Sequence, residues 1–398
     1  MNQSNWVLVI IVISQFCCTS LWFAGNGVMG DLITNFNLED SALGHLTALV
    51  QFGFISGTLL FALFTIVDRF SPSKVFLVSA LIAALVNAGV VWENNDLTSL
   101  LTFRFFTGFF LAGIYPVGMK IATDYFEKGL GKSLGFLVGA LVIGTAFPHL
   151  LKGLTYALPW KSVLLTTSGL SVLGGLLMVI IVPDGPYRKP GQHLDLSASL
   201  RVFRNSNFRS AAFGYFGHMW ELYAFWAFVP LMLKKYSDIH PQAAFNIPVL
   251  SFCVIGIGGL ACIFGGYLSY VLGTKRTAFT ALLLSAVCCL VSPLIFSIEL
   301  ESLFIGLLLF WGVVVVADSP LFSTLIAQNA TPEIKGTALT IVNCIGFSIT
   351  IISIQLINGL QNLTNSNSLY AILALGPILG LIALRKKSVQ SPKTAKLH

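Results

Sequence analysis

The sequence predicts an all-α membrane protein in which twelve transmembrane helices form two pseudo-symmetric six-helix bundles. Three observations carry that reading. The 398 residues are 56% hydrophobic and only 10% charged, with a mean hydropathy of +0.84. The charges fall in short clusters between apolar runs of ~20 residues, the length that crosses a bilayer core. The two halves of the chain also repeat each other at a nearly fixed offset.

In order, the predicted spans are 7–29, 43–66, 74–92, 98–120, 133–154, 161–182, 210–232, 247–271, 277–297, 303–325, 336–358 and 368–384. The first run, Trp6 to Met29, is longer than the apolar region of a secretory leader. It has no Lys or Arg before it and no small-residue cleavage pattern, so it is expected to remain as the first helix. Small residues four apart mark close helix approach at Gly53 and Gly57, Gly108 and Ala112, and Gly135 and Gly139. In the fourth and tenth spans, Pro116 and Pro320 remove a backbone donor and mark bends.

Twelve crossings return both termini to one face, and the basic residues name it. Eighteen of the 23 Lys and Arg lie in alternate loops or the tail: Arg69, Lys74, Lys120, Lys128, Lys132, Arg188, Lys189, Arg201, Arg204, Arg209, Lys275, Arg276, Lys335, Arg385, Lys386, Lys387, Lys393 and Lys396. By the positive-inside rule these loops and both termini are cytoplasmic. The opposite loops hold Lys152, Lys161, Lys234 and Lys235 against eight acids: Asp31, Glu39, Asp40, Glu93, Asp96, Asp238, Glu299 and Glu301. The net charge of +7 is therefore a topology signal spread over the inner loops, and no nucleic-acid partner is expected. Cys17, Cys18, Cys253, Cys262, Cys288, Cys289 and Cys344 all fall inside predicted spans without metal-ligand spacing and read as packing residues. Asn362-Leu-Thr364 matches a glycosylation acceptor, a pattern short enough to occur by chance.

The longest polar interruption divides the chain into bundles at 1–182 and 210–398, joined by a linker over 183–209. Gly57–Lys74 aligns with Gly258–Lys275, and Ala112–Pro116 with its loop Gly131-Lys132-Ser133 aligns with Val316–Pro320 and Lys335-Gly336-Thr337. One tandem duplication accounts for both alignments. Parallel six-span repeats place a central cavity at their mutual interface near mid-membrane.

Ionisable groups within spans are few: Arg104, Glu221 and Asp318, with His149 and His218 alongside. At ~1.5 Å per residue, Glu221 falls near the midplane and His218 about one turn inward; Arg104 lies ~8 Å toward the outside and Asp318 ~6 Å toward the inside. The cost of burial makes each a functional candidate. Glu221 and His218, spaced i, i+3, share a helix face and suit proton binding and release, or else form a hydrogen-bonded pair that orders span 7. Arg104 keeps its charge and requires a carboxylate, carbonyls or an anionic solute as partner. Asp318 is either part of the coupling machinery or a cap near the cytoplasmic surface.

Span 1 carries a polar stripe of Gln15, Thr19, Trp22 and Asn26 on one predicted helix face, echoed in span 11 by Asn343, Phe347, Thr350 and Asn358. These groups are expected to face the cavity and orient a solute by hydrogen bonds. Trp22, Trp220, Tyr223 and Trp226 would supply apolar or stacking walls, with Tyr115 and His149 as further lining candidates. No Walker loop, Cys/His ligand set or nucleophile elbow is present, so neither an enzyme nor an ATP-driven pump is indicated and no cofactor is expected.

These residues resemble the major facilitator superfamily of secondary transporters over essentially the whole chain. Asp68-Arg69 with Lys74 is similar to that family's loop 2–3 signature, although Phe64 stands at its first Gly and Ser71-Pro72 replaces its later Gly and basic residue. The repeat copy keeps Gly265, Gly273, Lys275 and Arg276, with Ser269 at the Asp position. The resemblance implies a gating role for Asp68, Arg69, Lys74, Lys275 and Arg276. Arg104-Phe-Phe-Thr-Gly108, followed by Ala112-Gly113 and Tyr115-Pro116, resembles the fourth-span pattern whose buried Arg is associated with proton coupling. In span 5, Gly144-Thr-Ala-Phe-Pro148-His149 departs from the antiporter pattern. The nitrate-porter glycine signatures of spans 5 and 11 are also missing.

The resulting expectation is a monomeric inner-membrane transporter of a small polar solute, working by alternating access with proton-coupled uptake. Glu221, His218, Arg104 and Asp318 would form its coupling set, converging from both halves on one chamber. Proton-coupled export of drugs or amphipathic compounds is the second reading, and a non-transporting sensor on the same scaffold the third.

Overall fold

The computed structural model describes residues 3–126, 130–154, 159–188, 201–331, 334–363 and 366–385, apart from the side chains of 3–5, 130–132 and 362. Lys128, Lys189, Lys386, Lys387, Lys393, Lys396, the side chain of Lys132 and the sequon ending at Thr364 lie outside the described residues. Twelve spans follow in order. α1 runs Gln3–Thr19 and continues through Ala24–Gly27 and Met29–Asn35; α2 is Ala42–Leu63, α3 Pro72–Gly89, α4 Leu97–Leu111 with Tyr115–Tyr125, α5 Leu130–Leu154 and α6 Lys161–Ile181. The second half comprises α7 Ser206–Ile239, α8 Ile247–Leu272, α9 Thr274–Ile295, α10 Glu301–Val314 with Ser319–Asn329, α11 Lys335–Leu363, and α12 Asn367–Ala374 with Leu375–Arg385. Among the described residues, ten of these helices are long and apolar enough to cross a membrane; α1 and α7 complete the set.

Local chemistry sets the ends. Pro72 opens α3 in the first turn, where its missing N–H costs nothing. Asp96 caps α4 by accepting from the Ser99 backbone N–H at 2.7 Å, and Ser99 answers the Asp96 N–H at 2.9 Å. That bond holds the Asp96 carboxyl below its ordinary range. Gly273, at φ 87°, lets α8 turn directly into α9, a backbone state that only glycine adopts without strain. Pro116 and Pro320 each open the second segment of a broken helix, as the sequence predicts.

The duplication is visible in the packing. A Cβ on Gly108 would strike the carbonyl of Val50, and one on Gly312 would strike the carbonyl of Val254. Both members of the second pair lie 204 residues after the first (312 − 108 and 254 − 50). α4 thus presses on α2 as α10 presses on α8, backbone against backbone. The halves meet along two seams that the duplication also relates: α5 on α8, the more extensive, and α2 on α11. On the face opposite the termini, Asn358 Nδ2 donates to the Ser41 carbonyl (3.0 Å) and Gln355 Nε2 to that of Gly44 (3.2 Å), tying α11 to α2.

Two expectations are corrected here. Span 1 is not one helix over 7–29. It breaks after Thr19, whose hydroxyl turns back to the Gln15 carbonyl (2.8 Å) while Ser20 bonds that of Cys17 (2.7 Å), the local competition that bends helices. Gln15 and Asn26 therefore do not lie on one continuous helical face. The linker also ends earlier than expected, because α7 starts at Ser206, capped by Asn205, and already contains Arg209. The described start of the linker is strapped to the α2–α3 loop: Ser71 Oγ donates to Asp184 (2.7 Å), and Arg188 donates to the carbonyls of Asp68 (3.1 Å) and Phe70 (2.7 Å).

Candidate solute site at the seam and its two polar nests

Where the halves meet at mid-membrane, rings from both sides interleave. Trp22, set at the break in α1, stands 5.9 Å from Tyr223 of α7 and 5.7 Å from Phe347 of α11, with interplanar angles of 29° and 25°. Phe54 of α2 lies 4.8 Å from Trp22 and 4.6 Å from Phe347. Trp226 meets Tyr223 at 5.2 Å and Phe23 edge-on at 6.3 Å. All six rings are buried. The two tryptophans are themselves duplication partners (226 − 22 = 204), and both indole Nε1 atoms are buried without a hydrogen-bond partner.

Further buried polar atoms without a partner lie on α1, α2 and α5: both side-chain ends of Gln15 and Gln51, Thr145 Oγ1 and His149 Nε2. Gln51 sits between Thr47, which binds Asn26 of α1 at 2.8 Å, and Phe54. At helical spacing it therefore shares the face of α2 turned to α1 and the seam. Buried polar groups rarely go unpaired, so the indole N–H groups at the rings and the Gln51 amide one turn from Phe54 have bonds still to make.

Each half carries one buried nest against its own first helix. In the first, Arg104 of α4 donates to the carbonyls of Leu21 (3.3 Å) and Trp22 (2.5 Å) and to Asn87 Oδ1 of α3 (3.4 Å). Of the partners open to it, it takes two carbonyls at the break in α1 together with one amide oxygen. In the second, Glu221 Oε1 of α7 accepts from Ser285 Oγ (2.5 Å) and Cys289 Sγ (3.1 Å) of α9 and from Trp311 Nε1 of α10 (2.6 Å). A turn toward the termini, His218 Nδ1 lies 2.8 Å from Asp318 Oδ1, both 1% exposed. Cation on carbonyls in one half and carboxylate under donors in the other are chemical opposites built on corresponding helices.

A family model of the Major Facilitator Superfamily matches residues 11–354. The chain belongs to this superfamily. The niacin transporter NiaP of Acinetobacter baylyi (strain ATCC 33305 / BD413 / ADP1) is 34% identical over 159 residues, covering 34% of this chain and 36% of NiaP, so the match spans about a third of that relative. The crystal structure of the human organic anion transporter MFSD10 (TETRAN) superposes with a TM-score of 0.75 at 12% identity, covering 97% of this chain and 100% of that one. A point mutant of the nucleoside transporter NupG does so at 0.71 and 13%, covering 95% and 98%. A bacterial homologue of the human lysosomal transporter Spinster, inward-facing and unoccupied, gives 0.65 and 14%, covering 96% and 94%. At such identities the structures speak for the fold. The proteins it resembles are transporters, not enzymes.

Within the superfamily frame, the predicted site residues divide. Trp22, Tyr223 and Trp226 meet at the seam, and half-buried Asn343 precedes Phe347 by one turn. Gln15 and His149 are buried and unpaired, whereas Thr19 and Asn26 spend their polar groups inside the first half. Tyr115 is half-buried where α4 resumes. Trp220 turns away, donating to the Ile372 carbonyl of α12 at 3.3 Å.

Arg104 and Glu221 occupy separate nests, one per bundle, so the expected convergence on one chamber is not what the fold builds. Of the loop charges, Asp68 pairs with Lys120 (3.1 Å) and Arg69 Nε donates to Thr65 Oγ1 (3.0 Å), both within the first half. Lys74, Lys275 and Arg276 are exposed. Sequence reasoning missed Gln51, Asn87, Phe54, Ser285, Cys289 and Trp311. Amides at mid-span in Gln51 and Asn87 were the available signal; Ser285 and Cys289 offered only their i, i+4 spacing.

Proposed function

We propose that the protein is a secondary active transporter that moves a small polar solute by alternating access, with uptake coupled to protons. The observation that carries this reading is the seam itself: stacked rings from both halves, with the unpartnered indole N–H groups of Trp22 and Trp226 among them. A site shared by two rocking bundles is reached from one face at a time.

Glu221 and the His218–Asp318 pair are the proposed proton-handling groups, since they are buried titratable side chains on the helix that also carries Tyr223 and Trp226. A proton gained or lost by that helix is then felt at the seam through one rigid element. Arg104 serves coupling indirectly, by fixing the break that presents Trp22. Asp68, Arg69, Lys74, Lys275 and Arg276 are proposed to tune the opening of the face that bears the termini. The basic loops support an inner-membrane location with both termini cytoplasmic. The partial likeness to NiaP makes small aromatic carboxylates the first solutes to try.

The test is solute-driven proton movement in liposomes holding the purified protein. Acidification or alkalinisation that follows addition of a solute supports coupling. Binding of solutes with persistent absence of any flux favours the sensor reading. Greater toxicity of lipophilic cations when the protein is absent from cells would replace uptake by export.

A further inference from the structure

We infer that the seam admits a flat aromatic ring carrying a hydrogen-bond acceptor at its edge, held between Trp22 of the first half and Tyr223 and Phe347 of the second. This rests on the transport reading and specifies its substrate class.

Trp22 faces the two opposite rings at 25° and 29°; stacked pairs such as Tyr236–Phe304 (13°) and Phe225–Trp311 (29°) lie within the second half, whereas the stacks of Trp22 cross from one half to the other. The near-parallel faces belong to opposite halves. Inserting a third ring requires two carbon contacts of ~3.5 Å each, a face-to-face gap of ~7 Å, so rings now in contact must part by about one ring thickness, ~3.5 Å. The rings that close on each other here are then in the arrangement that would hold a planar guest. A puckered aliphatic ring of the same size is thicker and makes no such stack.

Polar chemistry fixes the edge. The indole N–H groups of Trp22 and Trp226 are donors only, and both are buried and unpaired, as is the amide of Gln51. Arg104 and Glu221 are already engaged within their own bundles. The two indole N–H groups at the rings therefore suit a carboxylate or carbonyl edge, whereas a cation over the ring faces, the competing guest, would leave both donors unpaired.

The experiment uses the purified full chain in nanodiscs, reading thermal midpoint and tryptophan fluorescence with nicotinate, benzoate, cyclohexanecarboxylate and benzyltrimethylammonium. Two stacked faces at the strength of ordinary aromatic pairs predict that benzoate binds ~10-fold more tightly than cyclohexanecarboxylate. Trp22→Leu and Phe347→Leu should each weaken benzoate and nicotinate several-fold and leave cyclohexanecarboxylate nearly unchanged. Equal binding of benzoate and cyclohexanecarboxylate, tighter binding of the cation, or no binding of either aromatic acid overturns the inference, and the wild-type comparison stands even if a variant does not fold. Flux of a non-aromatic solute with no aromatic binding would remove the substrate class and leave transport standing. Aromatic acids that bind but never cross would remove transport and leave the site.

Discussion

Arg104 donates from α4 to the backbone carbonyl of Trp22, so the side chain that the sequence marks as a coupling cation holds the backbone of the residue that walls the seam. Because α1 is broken there, the Leu21 carbonyl keeps only a turn bond from the Ala24 N–H (3.3 Å) and the Trp22 carbonyl relies on Arg104; in hydrocarbon an unpaired carbonyl costs several kcal/mol. The guanidinium answers both and the Asn87 amide oxygen at once. A lysine has no such fork.

Arg104→Lys is therefore expected to fold with a lower thermal midpoint and to lose most transport, and Arg104→Ala to lose more of both. Hydrogen bonds to a charged group contribute ~1.5–3 kcal/mol. Differential scanning of purified protein and initial uptake rates check this, and full activity in Arg104→Ala would retire Arg104 from any functional role.

Glu221→Gln keeps the shape of the side chain and an oxygen for Ser285 and Trp311, while removing its charge and its proton. Gradient-driven accumulation is expected to disappear and solute exchange to persist in part. Accumulation and counterflow measured side by side in proteoliposomes separate the two, and unchanged accumulation means that Glu221 is not the coupling carboxylate.

His218 and Asp318 should behave as one unit. Removing one member of a buried pair leaves the other unanswered, so His218→Gln and Asp318→Asn should each lower the midpoint, with the double variant losing less than the sum. A double-mutant cycle giving an interaction energy of ~1 kcal/mol or more is expected; additive losses would show two independent groups.

Much of this arrangement was legible in the sequence because hydrocarbon imposes strict rules. Run length placed the twelve spans, the shared offset announced the two halves, and Pro116 and Pro320 marked real breaks. The break in α1 was hidden because no proline marks it: it arises from Thr19 and Ser20 bonding back to the chain and from a guanidinium 82 residues away. The destination of Glu221 was equally hidden. A helical period shows which residues share a face but not which neighbour that face meets, and Ser285, Cys289 and Trp311 look like ordinary packing residues until α9 and α10 close around α7.

The repeated glycine contacts give the duplication a physical test. At Gly108 and Gly312 the neighbouring backbone sits where a side chain would be, and helix backbones cannot shift as a rotamer can. Gly108→Ala and Gly312→Ala should each cost ~1–3 kcal/mol by overpacking, with similar losses because the two contacts share one geometry. Gly306 lies on α10 only six residues from Gly312 and has nothing within 4 Å of a built Cβ. Gly306→Ala should therefore be neutral or stabilising by up to ~1 kcal/mol, the helix propensity difference. Thermal midpoints of the three variants decide the matter. If Gly312→Ala behaves like Gly306→Ala, α10 does not press on the Val254 carbonyl and the two bundles are not packed alike.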